Sequence, residues 1–401
     1  MIDDQPAPKP SAAVLSYAWV ILVVVYLASV VAPFNQFKVP PIMPILIDSF
    51  QITLAQAGSL MSLVAFVGLL LALPAGVILQ RLGPKVTAII SMGFIAIGAA
   101  MGAMAGTFSI LMVSRLLEGV GIGLIGVAAP ATIAAWFPPE RQGMPMGIWA
   151  TWVPVGTVAM YNLAPLLAAS WGWQAVWWAG VIFALVMIVF SALLLKSPPV
   201  QGENIPHPAI DLRTLRIALA NRDIWLLSLG FACFNFVFVS FSTYYPTFLN
   251  ELRGYSLGEA GFIASIATML IIFSAPVAGL LSDWIGSRRL LFTIPYLLIA
   301  IILLLPFRLL GWQIIAAMIA LGIIVGAIPT ATFTAAPELM RKPYLAGVGL
   351  AIILVGQYAG QLLGPVFFGY LVEIQGWTMA GDVMVPFCIL AFISGWLVRI
   401  R

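Results

Sequence analysis

The chain has 401 residues, of which 62% are hydrophobic and 8% are charged, and it carries a formal net charge of +4. With a mean hydropathy of +1.09, it has too little polar surface to cover a water-soluble protein of this length, so an integral membrane protein is predicted. The 18 basic residues occur singly or in pairs, without the basic blocks typical of nucleic-acid binding.

The apolar runs of the chain predict about twelve membrane helices. About 20 apolar residues are needed to cross a hydrocarbon core of about 30 Å. Continuous apolar runs of this kind are unlike the alternating strands of an outer-membrane barrel. The expected fold class is therefore all-α integral membrane. In chain order, the helices are predicted at 17–47, 54–80, 86–106, 108–136, 144–170, 179–195, 223–249, 257–283, 290–306, 312–336, 345–373 and 379–397.

The first predicted helix contains several prolines and polar residues. Prolines interrupt the backbone hydrogen bonds of a membrane helix, which is typical of a broken segment that lines a cavity. These residues are Pro33, Asn35, Gln36, Lys38, Pro40, Pro41 and Pro44.

Three charged residues, Lys38, Arg115 and Glu118, lie inside predicted membrane helices. A charge at bilayer depth costs at least about 2.5 kcal/mol unless it is paired or hydrated, so each one indicates a functional site. At 1.5 Å per residue, all three are expected about 10 to 15 Å deep and can be neighbours. Two pairings remain open, because Glu118 can pair with Arg115 on the same helix or with Lys38 on another.

These three residues have alternative roles. Lys38 is predicted to face a water-filled vestibule and bind an anion, and the alternative is a lysine that snorkels to the outer interface. Glu118 is predicted to take up and release the coupling proton. Its alternative is a permanent salt bridge with Arg115.

A polar stretch at 196–222 divides the chain and is predicted to be a cytosolic linker between two halves, 17–195 and 223–401. The segment 1–16 has no apolar leader and is predicted to be a cytosolic tail. With the N-terminus inside, most basic residues fall on the cytosolic side, as the positive-inside rule requires. Both termini are therefore expected in the cytosol.

A short turn occurs twice, 203 residues apart, as GVILQRLGPK from Gly76 and GLLSDWIGSRR from Gly279. In both copies, a second glycine follows after seven residues and a basic residue follows two positions later. Another glycine precedes each copy by 18 residues, at Gly58 and Gly261. This spacing indicates an internal duplication.

The duplicated turn resembles the loops after the second and eighth helices in the major facilitator superfamily of transporters. There the pattern is glycine, three residues, aspartate, a basic residue and glycine; the second copy keeps Asp283, but the first has Gln80. The resemblance implies two pseudo-symmetric six-helix halves and a conformational lock at the turns. The implied lock residues are Gly76, Arg81, Gly83, Lys85, Gly279, Asp283, Gly286 and Arg288.

Two further resemblances bear on the site. The run RLLEGVG from Arg115 is similar to the superfamily's helix-four motif, which implies structural support or proton coupling. Related anion transporters hold a basic residue at a depth similar to that of Lys38. The predicted substrate contacts lie on helices that line or flank the central cavity in the family. For each of them, the alternative is a role in helix packing. These residues are Asn35, Gln36, Trp152, Tyr161, Asn162, Asn235, Tyr244, Thr332, Gln357, Tyr358 and Gln361.

Amides and aromatic rings around one cation suit a carboxylate on a small organic body. The prediction is a secondary active transporter for a small organic anion, with proton-coupled uptake by alternating access, and the sequence is similar to the cyanate-permease-like group. The alternative is a proton-antiport exporter of amphipathic compounds, although helix five lacks the GP motif that family exporters often carry.

The sequence contains neither an HExxH motif nor a nucleotide-binding loop, so an enzyme is not predicted. We expect no cofactor or metal, and a single chain acting alone in the cytoplasmic membrane.

Overall fold

The structure, a computed structural model, describes residues 12–72, 74–138, 141–196, 219–285, 288–340 and 345–399. Within these ranges the regular elements are all helical, which confirms the predicted fold class. Ten helical stretches of the described chain are long and apolar enough to cross a membrane, and a shorter apolar helix occupies Arg289–Leu303. The tenth of these stretches, Gly347–Leu397, bends at Gly376, where the backbone is not helical.

The first half of the chain contains α1 (Ala12–Gln36), a 3-10 turn (Pro40–Ile42), α2 (Met43–Phe50), α3 (Leu54–Leu71), α4 (Pro74–Ala103), α5 (Phe108–Trp136), α6 (Gly143–Trp149), α7 (Trp152–Trp171) and α8 (Gln174–Leu194). The second half contains α9 (Arg222–Arg253), α10 (Leu257–Ile285), α11 (Arg288–Leu303), α12 (Trp312–Val325), α13 (Ala327–Leu339) and α14 (Ala346–Leu397).

Several predicted helices are broken at proline or glycine. The first one ends at Gln36 and resumes as a 3-10 turn at Pro40, as its proline content predicts. The second was expected to continue to residue 80, but α3 ends at Leu71 and α4 begins at Pro74. Proline lacks an N–H and disfavours helical backbone in the preceding residue, which explains this break.

The first copy of the duplicated turn is a kink within a helical stretch rather than a loop. In its first copy, Gly83 has φ 74° and ψ 165°, a conformation that glycine adopts without steric cost, and helix continues on both sides of it. The direction of the chain is therefore changed here by one residue.

The most extensive contacts between the two halves are made by two pairs of helices, α3 with α14 and α7 with α10, and the 3-10 turn of the first half also contacts α9 and α10. We call one end of the bundle the Lys38 end; there α1, α7 and α9 end and α3 and α10 begin. The opposite end, where α8 ends and α9 begins, is the linker end.

Candidate functional site

The three predicted intramembrane charges come together in the first half, and we call them the charge triad. Lys38 follows the end of α1, whereas Arg115 and Glu118 lie on α5, and all three side chains have no exposed surface. The Lys38 Nζ lies 2.5 Å from Glu118 Oε1, and the Arg115 Nη1 donates a hydrogen bond to Glu118 Oε2. Both pairings that the sequence left open therefore occur together.

Arg115 also binds the backbone of two other helices. Its guanidinium donates to the carbonyl oxygens of Leu60 at 3.0 Å, Asn35 at 2.8 Å and Gln36 at 2.7 Å. Carbonyls at a helix C-terminus lack intrahelical donors, and the residue four positions after Gln36 is Pro40, which has no N–H. Arg115 supplies the missing donors at the end of α1, and its positive charge suits the negative end of the helix dipole.

The Lys38 ammonium is enclosed by the first half. It donates to Asn35 Oδ1 at 3.2 Å and lies 4.6 Å from the centre of a Trp177 ring on α8, within range of a cation–π interaction. With no exposed surface, Lys38 neither snorkels to the interface nor faces an open vestibule. The vestibule prediction is therefore wrong for this conformation, because Glu118 draws the ammonium into the helix bundle.

The charges of the triad do not cancel. With every group ionised, two cations share one carboxylate, and the site has one positive charge in excess. The indole N–H of Trp177 is buried without a hydrogen-bond acceptor among the described residues, and it lies against Gly102 of α4, whereas Lys38 lies over the face of the ring. The site therefore offers an excess positive charge.

Three predicted substrate contacts have polar atoms that lie within hydrogen-bond distance of the opposite half, and their role in substrate binding stays a prediction. The Tyr161 hydroxyl donates to the Ser242 carbonyl at 2.7 Å, and Asn162 Nδ2 lies 3.3 Å from Ser265 Oγ. The Tyr244 hydroxyl lies 2.8 Å from the carbonyl oxygens of both Leu54 and Pro365. These side chains lie on the surfaces where the halves meet near the Lys38 end.

The remaining predicted contacts are distributed through the bundle. In the second half, Gln361 Nε2 donates to Asn235 Oδ1 at 3.1 Å, and Thr332 Oγ1 donates to the Ile328 carbonyl of its own helix at 2.8 Å. Trp152 stacks on Trp149 with ring centres 5.7 Å apart.

Tyr358 and Gln357 are partly buried on α14. The Tyr358 ring lies directly against Gly68 of α3, where an ideal Cβ would stand 2.4 Å from its Cε1 atom. Of the predicted substrate contacts, Asn35 and Gln36 touch the charge triad, through a side chain and a backbone carbonyl respectively.

The lock residues of the duplicated turn show a contact that the sequence did not reveal. Lys85 Nζ donates to the Ala192 carbonyl near the end of α8 at 2.8 Å. One residue beyond the equivalent position in the second half, Arg289 donates to the Trp396 carbonyl near the end of α14 and lies 4.4 Å above the Trp396 ring. Each basic residue thus satisfies a carbonyl at the end of the last helix of its own half.

Arg289 was absent from the predicted lock, although the paired arginines of GLLSDWIGSRR were a signal for it. Arg81 is exposed, an ideal Cβ on Gly76 would meet open space, and Gly279 makes only an ordinary contact. Gly286 and the side chains of Asp283 and Arg288 lie outside the described residues. The lock itself stays a prediction.

Comparison with known proteins assigns the chain to a family, since the model described as Major Facilitator Superfamily matches residues 25–352. The chain belongs to the major facilitator superfamily. This major facilitator is 21% identical over 403 residues to the hexuronate transporter of Bacillus subtilis, covering 94% of the chain and 93% of that relative. It is 22% identical over 398 residues to the probable sulfoacetate transporter of Cupriavidus necator, covering 94% of the chain and 91% of that relative.

A third relative is the probable nitrate transporter of Staphylococcus carnosus, at 23% identity over 378 residues, covering 92% of the chain and 93% of the relative. Among solved structures, a bacterial homolog of the human lysosomal transporter Spinster matches with a TM-score of 0.80 at 18% identity, covering 95% of this chain and 97% of that chain. The predictions of a major facilitator fold and of a membrane transporter rather than an enzyme are confirmed.

Proposed function

We propose that the protein is a secondary active transporter that moves a small organic anion of carboxylate type into the cell by alternating access, coupled to protons. The observation that carries this proposal is the charge triad, in which two fully buried cations share one carboxylate. A buried charge is costly unless it is paired, so the excess positive charge favours an anionic ligand.

Glu118 links the anion to the proton. When this carboxyl group is protonated, Lys38 and Arg115 lose their common partner, and the demand for an external anion rises. By thermodynamic linkage, an anion on Lys38 in turn favours protonation of Glu118 by the same factor. Proton and anion therefore bind together and are carried in the same direction, which is symport. The three relatives named for hexuronate, sulfoacetate and nitrate support an anionic cargo.

Alternating access supplies the route. The halves, 17–195 and 223–401, contact each other near the Lys38 end, and the triad is buried among helices of the first half, so a substrate reaches Lys38 only when these helices rearrange as the halves move. The basic residues favour cytosolic termini, which makes the linker end cytosolic and the Lys38 end external. We place the protein in the cytoplasmic membrane, acting as a single chain.

Uptake into proteoliposomes tests the cargo. We expect accumulation of a carboxylate from a panel containing a hexuronate, a sulfonated acetate, nitrate, a neutral sugar and an organic cation. Lys38→Ala leaves Glu118 paired with Arg115, so the protein folds, but uptake is expected to fall at least about thirtyfold because the excess positive charge of the triad is gone.

A matched control for Lys38 exists at the linker end. Lys196 Nζ lies 4.6 Å from the centre of the Tyr17 ring, which repeats the cation–π geometry of Lys38 and Trp177 outside the triad. Lys196→Ala is expected to transport normally. Unchanged uptake by a folded Lys38→Ala protein would remove the argument for an anion.

Glu118→Gln tests proton coupling, because the amide keeps the shape of the side chain and cannot exchange a proton at neutral pH. Exchange of labelled for unlabelled substrate is expected to continue, whereas the accumulation ratio driven by an inward proton gradient falls to about one. Normal accumulation in this variant would leave Glu118 a structural partner of Arg115. Accumulation of amphipathic compounds driven by an acidic lumen would indicate proton-antiport export instead.

A further inference from the structure

The first turn of α3 receives a side chain from the other half of the protein. A helix begins with four N–H groups that lack intrahelical acceptors. At α3 they are partly satisfied by Thr53, whose Oγ1 accepts from Gln56 N at 3.3 Å, while Gln56 Oε1 accepts from Thr53 N at 2.9 Å. The N–H of Ala55 instead donates to Glu373 Oε1 at 2.8 Å, and Glu373 lies on α14 of the second half. A carboxylate from one half therefore occupies the positive end of a helix in the other.

A second side chain reaches the same turn. The Tyr244 hydroxyl lies 2.8 Å from the Leu54 carbonyl of α3 and 2.8 Å from the Pro365 carbonyl of α14, so it bridges the halves. An ideal Cβ built on Gly58 would stand 2.1 Å from this hydroxyl, and one built on Gly369 would stand 2.3 Å from it. The hydroxyl thus fits between two glycines, one from each half, and any larger residue would displace it.

We propose that Glu373 and Tyr244 form an inter-half latch that holds the Lys38 end closed by binding the backbone of Leu54 and Ala55. Both side chains belong to the second half, and both bind the first turn of one helix in the first half. They are positioning residues, since they act on the equilibrium between conformations and not on the cargo. The latch goes beyond the proposed function, because it depends neither on the nature of the substrate nor on Glu118.

The energetic logic follows from where the contacts lie. Hydrogen bonds within one half persist when the halves separate and do not change the equilibrium between closed and open states. Bonds between the halves exist only while the Lys38 end is closed, so their free energy contributes only to that state. A carboxylate that binds a helix N-terminus only in the closed state can raise the ratio of closed to open conformations about fivefold.

Distance measurements between spin labels test the latch directly. Labels on cysteines at Gln51 and Glu251, exposed residues of the two halves near the Lys38 end, report whether this end is closed. The buried thiols of Cys233 and Cys388 are replaced by alanine in the labelled background. In the purified transporter in nanodiscs, Glu373→Ala and Tyr244→Phe are each expected to lower the ratio of closed to open distances about fivefold.

Two control variants remove a carboxylate at a helix N-terminus and a tyrosine hydroxyl whose partners lie within the second half. Glu259 caps its own helix, accepting from Ser256 N at 2.9 Å and from Ser256 Oγ at 2.8 Å. The Tyr245 hydroxyl lies 3.3 Å from the Pro306 carbonyl within the second half. Glu259→Ala and Tyr245→Phe are expected to keep the wild-type distance distribution.

The outcomes separate a latch from general support of the fold. A wild-type distribution in both Glu373→Ala and Tyr244→Phe overturns the proposal, and so does an equal shift in the two controls. Should Glu373→Ala not fold, Tyr244→Phe removes one oxygen atom only and decides the question. Glu373→Gln keeps an acceptor oxygen without the charge and is expected to show an intermediate shift.

Discussion

Arg115→Leu is expected to lower the free energy of unfolding by about 3–5 kcal/mol, the loss typical of a broken buried charge network. The substitution removes one of two cations from Glu118 and leaves three backbone carbonyls without their donor. Because two of these carbonyls end α1, the bend that carries Lys38 loses its support. Thermal and denaturant unfolding in detergent, followed by circular dichroism, measures the effect.

Arg308→Ala is the control for this prediction. Arg308 pairs with Asp382 at 2.5 Å, but both side chains are partly exposed, at 44% and 29%. A surface ion pair of this kind contributes at most about 1 kcal/mol. Arg115→Lys is expected to resemble Arg115→Leu, since one ammonium cannot reproduce the planar fork of donors that binds the three carbonyls. If Arg115→Leu cost no more than Arg308→Ala, the triad would not stabilise the first half.

Gly58→Ala and Gly261→Ala are expected to prevent closure of the Lys38 end. An ideal Cβ on Gly58 would lie 2.7 Å from the Pro365 carbonyl oxygen, and one on Gly261 would lie 2.3 Å from the Tyr161 carbonyl oxygen. Both obstacles are backbone atoms of helices in the opposite half, so they cannot rotate away. Overpacking of this kind costs about 1–3 kcal/mol, and here the cost falls on the closed state alone.

The expected result is an open Lys38 end and uptake lowered about tenfold or more. The spin-label distance between Gln51 and Glu251, together with proteoliposome uptake, measures it. Gly93→Ala is the matched control, because an ideal Cβ on this helical glycine meets no atom within 4 Å. Closed distances and normal uptake in Gly58→Ala would show that the halves tolerate a wider separation than these contacts indicate.

The positions of the duplicated glycines were predictable from the sequence, but their contacts were not. Gly58 and Gly261 were recognisable because each precedes a copy of the turn by 18 residues, which is a property of the sequence alone. What each glycine contacts was not recognisable. Pro365 and Tyr161 lie far along the chain, and only the packing of α3 on α14 and of α7 on α10 brings them near.

Tyr244 and Arg289 make contacts that the sequence did not indicate. Tyr244 was predicted to touch substrate because it lies on a helix that lines the cavity in the family, yet its hydroxyl bridges two backbone carbonyls between the halves. Arg289 received no place in the predicted lock, although it binds the end of α14. Residue type and helix number do not specify which side of a helix a residue faces.

The sequence by itself determined the membrane class, the helical fold, the duplication and the three intramembrane charges. These properties follow from hydropathy, spacing and the cost of an unpaired charge, which are local or additive along the chain. Only the tertiary structure decided the direction of Lys38, whose partner Glu118 lies 80 residues away. A side chain turns toward its strongest neighbour, and that neighbour is set by the packing of helices distant in the chain.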